Sequence, residues 1–219
     1  MNSMRRLVIV NVLLLVVLIG GGFAGYYFYN QSVTYLSTDN AKIDGQSVSI
    51  APPTAGKLVD WNGEVGKSYA AGDRVGVVET MNAATGKPMD VDVVAPQNVT
   101  IVQQTAVKNS FVGAGLPLAY SFDMDHLWVT ANIKETDIND VKTGQEVDID
   151  VDAYPGTTLK GKVEKIGLAT ANTFSLLPSS NTTGNYTKVT QVLPVTVSLD
   201  GYKGLDLAPG MNVTVRIHK

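Results

Sequence analysis

Few side chains in this sequence are spaced for chemistry. Asp148, Asp150 and Asp152 occupy the first, third and fifth places of an EF-hand-type loop, where carboxylates would hold a hard cation. The sixth place needs a glycine for the turn and is Ala153; the twelfth needs a bidentate glutamate and is Leu159. The three aspartates therefore read as the wet face of a strand. Gly66-Lys67-Ser68 ends like a phosphate-binding loop, but Trp61 stands where its first glycine belongs. His126 and His218 are the whole imidazole supply. Neither has a third ligand at metal spacing or a serine in a nucleophile elbow to activate. The absence of cysteine removes disulfides, thiolate metal sites, cysteine nucleophiles and a lipoprotein's lipidated residue. Trp61 and Trp128 could stack on a ligand, although large aromatics in strand-rich segments belong more often to a core. The expectation is no catalytic residue, no metal, no cofactor and no enzyme.

Composition narrows the class. The 219 residues are 44% hydrophobic and 17% charged, with 21 glycines and 9 prolines, which excludes collagen-like, disordered and coiled-coil chains. A net charge of −3 offers no basic field for a phosphate backbone, so nucleic acid is not an expected partner. The length suits one large domain or two small ones.

The N-terminal segment reads as an anchor. From Leu7 to Tyr29 the one strongly polar side chain is Asn11, and no charge appears between Arg6 and Asp39. As a helix of about 1.5 Å per residue, 23 residues reach about 35 Å, enough to cross a ~30 Å hydrocarbon layer. Arg5 and Arg6 supply a cytoplasmic positive flank, and Tyr26-Tyr27-Phe28-Tyr29 an aromatic belt at the far interface. The expected placement is single-pass in the cell (inner) membrane, with the N-terminus cytoplasmic, membrane lipid around residues 7–29 and the bulk of the chain outside the cytoplasm. A cleaved signal peptide, with Gly22 and Ala24 at its −3 and −1 positions, is the alternative.

Beyond the anchor the chain reads as mainly β. Apolar and polar residues alternate over Glu146–Tyr154, at Leu193, Val195, Val197 and Leu199, and at Met211, Val213, Val215 and Ile217. Period-two patterns of this kind make half-buried antiparallel strands. An internal repeat organises the first half. Ala51-Pro52 and Ala95-Pro96 lie 44 residues apart, while Ala71-Gly72 and Ala114-Gly115 lie 43 apart. Each unit is too short to bury its apolar face alone, and docked together the two make a small sandwich.

These units resemble the half-motifs of a lipoyl or biotinyl carrier domain, whose modified lysine sits at a hairpin tip. Val78-Glu79-Thr80-Met81 has the look of that tip, but Asn82 stands at the lysine position and Lys87 is displaced into the joint. From Thr38 onward the chain resembles the membrane fusion proteins, or periplasmic adaptors, of the HlyD family in their EmrA-like multidrug branch. The resemblance rests on Thr38-Asp39-Asn40-Ala41, the Ala-Pro and Gly marks, Leu127 to Thr136, Val151 to Gly156, Phe174-Ser175-Leu176-Leu177-Pro178, Gly184 to Val189 and Pro209-Gly210-Met211.

The resemblance implies an N-terminal transmembrane helix, a lipoyl-like barrel-sandwich hybrid domain and a membrane-proximal antiparallel β-barrel. The expected division is a cytoplasmic stub and anchor over 1–32, a lipoyl-like domain over 46–120 and a barrel from 33–45 and 121–219. The lipoyl-like domain has half-motifs 48–79 and 93–120. The implied partner is an integral membrane transporter, of the major facilitator type, and homo-oligomerisation is open to such a chain. The implied function is that of a membrane-anchored adaptor of an efflux or secretion transporter, exporting drugs or other small molecules. An anchored cell-envelope binding or structural module without a transporter is the alternative.

In the family a long α-helical hairpin separates the two lipoyl halves. Here only thirteen residues, Thr80 to Asp92, lie between Glu79 and Val93. Two helices cut from them would have about six residues each, far below the ~12–15 at which isolated helices become marginal in water. Gly86 and Pro88 weaken them further, and the expectation for 80–92 is a plain loop. The segment 169–188 is rich in Asn, Thr and Ser around Phe174, Leu176 and Leu177, which makes those three the candidate partner contact. Because Asn82 replaces the carrier lysine, the intact mass of the purified chain is expected to equal that of the polypeptide; a biotinyl or lipoyl increment would restore the carrier reading.

Overall fold

The computed structural model describes residues 3–82, 85–170, 173 and 190–219. Helix α1 spans Ser3–Thr34 and carries the apolar run of 7–29 past both ends. The apolar side chains described between Val8 and Tyr26 are all more than half exposed. Over the described residues, no helix is long and apolar enough to cross a membrane. The rest is β: β1 (Tyr35–Ile50), β2 (Gly56–Trp61), β3 (Ser68–Tyr69), β4 (Arg74–Met81), β5 (Pro88–Val94), β6 (Val99–Gln104), β7 (Phe111–Val112), β8 (Ala119–Lys134), β9 (Glu146–Val151), β10 (Thr158–Ile166), β11 (Val192–Leu199) and β12 (Asn212–His218). The chain divides into two compact units: Met1–Ala41 with Ala131–Gly201 and Val213–Lys219, and Lys42–Thr130 with Tyr202–Asn212.

The first unit contains a closed six-stranded barrel in the order β1-β12-β9-β10-β11-β8, closed by pairing of β1 with β8. Closure satisfies the backbone groups that an open edge would leave unpaired. The alternation read from the sequence sorts the side chains. Val147, Ile149 and Val151 of β9 are buried and register with Ile217, Val215 and Val213 of β12, while Asp148 and Asp150 point outward. Gly161 of β10 sits opposite both Val147 and Leu199. A Cβ there would stand 2.0 Å from the Ser198 carbonyl oxygen and 3.1 Å from Ile149 Cδ1, so the close approach of β10 to β11 requires glycine.

The second unit packs two sheets over one core of Ile50, Leu58, Tyr69, Val75, Val78, Val93, Ala95, Val99, Ile101, Leu118 and Ala119. One sheet runs β5-β4-β2-β7; β8, β6 and β3 are consecutive in the other. The internal repeat appears as reciprocal backbone bonds. Gly72 N–H donates to the Ala95 carbonyl (2.8 Å) and Gly115 N–H to the Pro52 carbonyl (2.9 Å). Likewise Gly66 N–H donates to Ile101 and Asn109 N–H to Leu58. Each pair is related by 43 residues, so the structural equivalent of Ala95 is Pro52 rather than Ala51.

The joint between the halves departs from expectation. In place of a plain loop over Thr80–Asp92, β4 and β5 continue into it as an antiparallel hairpin, with Glu79 opposite Asp90, Thr80 opposite Met89 and Met81 opposite Pro88. Asn82 N–H donates to the Lys87 carbonyl (2.9 Å) and Gly86 N–H to the Asn82 carbonyl (2.8 Å), which closes the hairpin at Asn82 and Lys87. Pro88 does not break the strand because it stands at the first residue of an edge strand, where no partner needs its missing N–H. Leu58 is fully buried, and Leu58→Ala is expected to lower unfolding free energy by about 2–5 kcal/mol. Gly161→Ala, which forces a Cβ onto the Ser198 carbonyl, should cost about 1–3 kcal/mol or more; chemical denaturation of both variants checks this.

Candidate functional site

Asp148 and Asp150 lie on the outward face of β9. Across β10, β9 and β12, Lys160, Asp148 and Arg216 lie in one cross-strand row and Thr158, Asp150 and Thr214 in the next. Asp148 bonds Lys160 and stands 3.1 Å from His218 Nε2; Asp150 accepts from Arg216 Nη2 at 2.7 Å and from Thr158. Burial works to raise the Asp148 carboxyl, and the hydrogen bonds and charges of Lys160 and His218 outweigh it, leaving it below the ordinary carboxylate range. Lys160 is raised, first by its hydrogen bond to Asp148 and then by that carboxylate's charge. The carboxylate oxygens are thus committed to cations and hydroxyls on neighbouring strands. His126 Nδ1 lies 2.8 Å from Asp123 Oδ2 at the surface. Among the described residues, no group of three or more His, Asp or Glu side chains could hold a metal ion.

Gly66 turns the chain at φ +86° and Ser68 enters β3, its hydroxyl 2.8 Å from that of Thr100. A strand follows where a phosphate loop needs a helix N-terminus. Trp61 Nε1–H donates to the Gly63 carbonyl (2.9 Å) and Gln104 Oε1 (2.7 Å). Its ring fills the spaces where Cβ atoms at Gly63 and Gly76 would lie, which makes it a packing residue. Trp128 is half-buried in β8. At the hairpin tip the carrier-lysine position holds Asn82, whose Oδ1 accepts from Thr85 N–H at 3.2 Å.

The candidate partner contact, Phe174, Leu176 and Leu177, lies outside the described residues. Its segment leaves from the end of β10 and returns at the start of β11, strands joined by the register Ile166–Val195 and by Gly167 N–H donating to the Pro194 carbonyl. Leu168, one residue beyond that bond, is wholly exposed. Phe111, at 86% exposure, is another apolar group that sequence reasoning did not single out. Both lie within or beside strands, where only the register tells an outward apolar residue from an inward one.

A YknX-like beta-barrel domain matches residues 127–217. The Bacillus subtilis (strain 168) protein named "Putative efflux system component YhbJ" is 43% identical over 212 residues, 97% of this chain and 92% of that protein. The chain belongs to the HlyD family of membrane fusion proteins, in its EmrA-like branch. The colistin resistance protein EmrA of Acinetobacter baumannii is 38% identical over 126 residues, 57% of this chain but 36% of that longer protein. In fold, this adaptor is similar to the membrane fusion protein Spr0693 of Streptococcus pneumoniae R6, with a TM-score of 0.57 at 13% identity, covering 84% of this chain and 98% of that one. Among the described residues no long α-helical hairpin separates the halves; they are joined by the β4–β5 hairpin.

Because the Asp148 carboxyl is held below its ordinary value in the fold, its contribution to stability is present above the unfolded-state pKa and is lost as pH falls through the folded one. Asp148→Asn is expected to flatten the acid limb of the stability profile below about pH 4 while lowering stability at neutral pH. Thermal melts across pH 2.5–7 measure this; an unchanged acid limb would show that the ladder carries no weight.

Proposed function

We propose that this chain is the membrane-anchored adaptor of an efflux or secretion transporter, working outside the cytoplasm in the export of drugs or other small molecules. The observation that carries the reading is the 43% identity to a protein named as an efflux system component, extending over 97% of the chain. In this reading α1 is a single-pass anchor, supported by the uncharged, largely apolar run of 7–29 in the sequence. The second unit is the lipoyl-like domain, and the barrel that follows α1 is the membrane-proximal domain. The chain supplies no chemistry. Tethering raises the local concentration of the β units at a transporter's exit, which is worth several orders of magnitude in effective affinity without new contacts.

The partner is an integral membrane transporter, of the major facilitator type favoured by the resemblance. Phe174, Leu176 and Leu177, joined by the exposed Leu168, form the contact with it. The β4–β5 hairpin ends in a turn of a few residues, so this adaptor does not reach a distant outer-membrane channel through a helical arm. YhbJ leaves equally little room for one, since 212 aligned residues make up 92% of its length.

Crosslinking in intact cells, followed by identification of the attached membrane protein, tests the reading. A transporter is expected; capture of no membrane protein would make the chain an anchored envelope module instead. Replacing Phe174, Leu176 and Leu177 together with Ser is expected to leave the circular-dichroism spectrum and melting intact and to reduce transporter recovery at least tenfold. Loss of the fold would assign those residues to packing.

A further inference from the structure

No linker separates α1 from the barrel. The helix ends at Thr34 and β1 begins at Tyr35, so the direction in which α1 leaves is decided at one junction. The helix does little to fix that direction itself. Its described apolar side chains between Val8 and Tyr26 are all more than half exposed and lack the burial that packing on the barrel would give. The last carbonyls of a helix have no partner within it, and a left-handed residue often ends the helix by satisfying them. Neither Thr34 nor Tyr35 has a positive φ, so no cap of that kind is made here. Positions at the end of an element are where a hinge absorbs its change in backbone angle. Left to itself, Thr34–Tyr35 would be such a hinge.

The junction is braced by the last residue of β12 and the one after it. Lys219 N–H donates to the Thr34 carbonyl at 2.9 Å. The Lys219 ammonium stands 2.8 Å from Asp140 Oδ2, in the short helical turn Ile138–Asp140 between β8 and β9. The His218 ring meets Tyr35 edge to face, with centroids 4.8 Å apart and planes at 78°. Its Nε2 lies 3.1 Å from Asp148 Oδ2 on β9, and Asp148 in turn binds Lys160 on β10. Thr34 and Tyr35 are thus tied through His218 and Lys219 to β9, β10 and the 138–140 turn. Closure of the barrel does not rest on these contacts. It comes from the pairing of β1 with β8 and β12 and from the buried Val213, Val215 and Ile217, whereas the side-chain braces are partly exposed.

We infer that His218 and Lys219 form a latch that makes α1 and the barrel one rigid lever, fixing the angle at which the helix leaves. A single hydrogen bond to Thr34 would let the helix swing about it. The ring contact on Tyr35 and the carboxylates of Asp148 and Asp140 hold His218 and Lys219 from other directions, and together they resist that swing. Where α1 is an anchor, as proposed above, the latched junction sets the inclination of the barrel to the bilayer. Release of the latch frees the barrel to tilt while it stays tethered. The coupling is a property of this chain alone, so its test depends neither on a transporter nor on the adaptor reading.

The sequence has no cysteine, so a pair of spin labels can be introduced cleanly. Phe23→Cys on α1 and Asp152→Cys, beyond the end of β9 that lies away from His218, are both exposed positions. Double electron–electron resonance between them, on the full chain in detergent, reads the spread of angles between helix and barrel. One narrow distance distribution is expected with the latch intact. His218→Ala/Lys219→Pro removes the ring, the Asp148 bond, the ion pair and the amide donor together, and is expected to widen the distribution at least twofold while the β circular-dichroism spectrum is kept. A broad distribution with the latch intact, or an equally narrow one in the variant, would overturn the assignment. Should that variant fail to fold, Tyr35→Ala/Asp140→Ala removes the ring contact and the ion pair from the opposite side, and an unwidened distribution there refutes the latch as well.

Discussion

The second unit depends on an exchange of loops between its halves. The turns on either side of β3 donate amides to carbonyls of the second half, Gly66 to Ile101 and Gly72 to Ala95. The corresponding turns on either side of β7 donate to the first half, Asn109 to Leu58 and Gly115 to Pro52. Neither half completes its own hydrogen bonding, since the donors lie in one half and their acceptors in the other. Each half is therefore incomplete without the other. The shared core, with Leu58 and Ile101 at equivalent places, is the apolar counterpart of this exchange.

The exchange also settles the form of the joint. Because the halves must interlock, β4 and β5 are brought side by side, and continuing their ladder to the tip satisfies more backbone groups than a loop would. Sequence reading missed this because Gly86 and Pro88 are strong local punctuation, and both are accommodated: Gly86 at φ +66° within the turn and Pro88 at the start of an edge strand. Tertiary pairing overrode the local signal.

Elsewhere the legible features were those written in period two. The alternation over β9, β11 and β12 placed Val147, Ile149, Val195, Val197, Val213 and Val215 inside the barrel and Asp148 and Asp150 outside. The internal repeat was visible from its Ala-Pro and Ala-Gly marks, although the Ala-Pro pair is displaced by one residue from the true equivalence. Surface features were less legible. Phe111 and Leu168 are single apolar residues, and one apolar residue reads the same whether it faces a core or water until its neighbours across the sheet are known. The contact expected at Phe174, Leu176 and Leu177 was read from composition alone, which identifies an apolar cluster in a polar stretch but not what covers it.

The end of the β4–β5 hairpin, closed by the Asn82–Lys87 bond, takes no part in the reciprocal bonds between the two halves. Chain inserted between Asn82 and Lys87 would leave the interlocked loops and the shared core untouched, and each doubling of a flexible insert adds only about 0.6 kcal/mol of closure entropy. The fold is thus indifferent to how much polypeptide it carries at that one place. Reach can be gained or shed there as a separate trait, without renegotiating the architecture beneath.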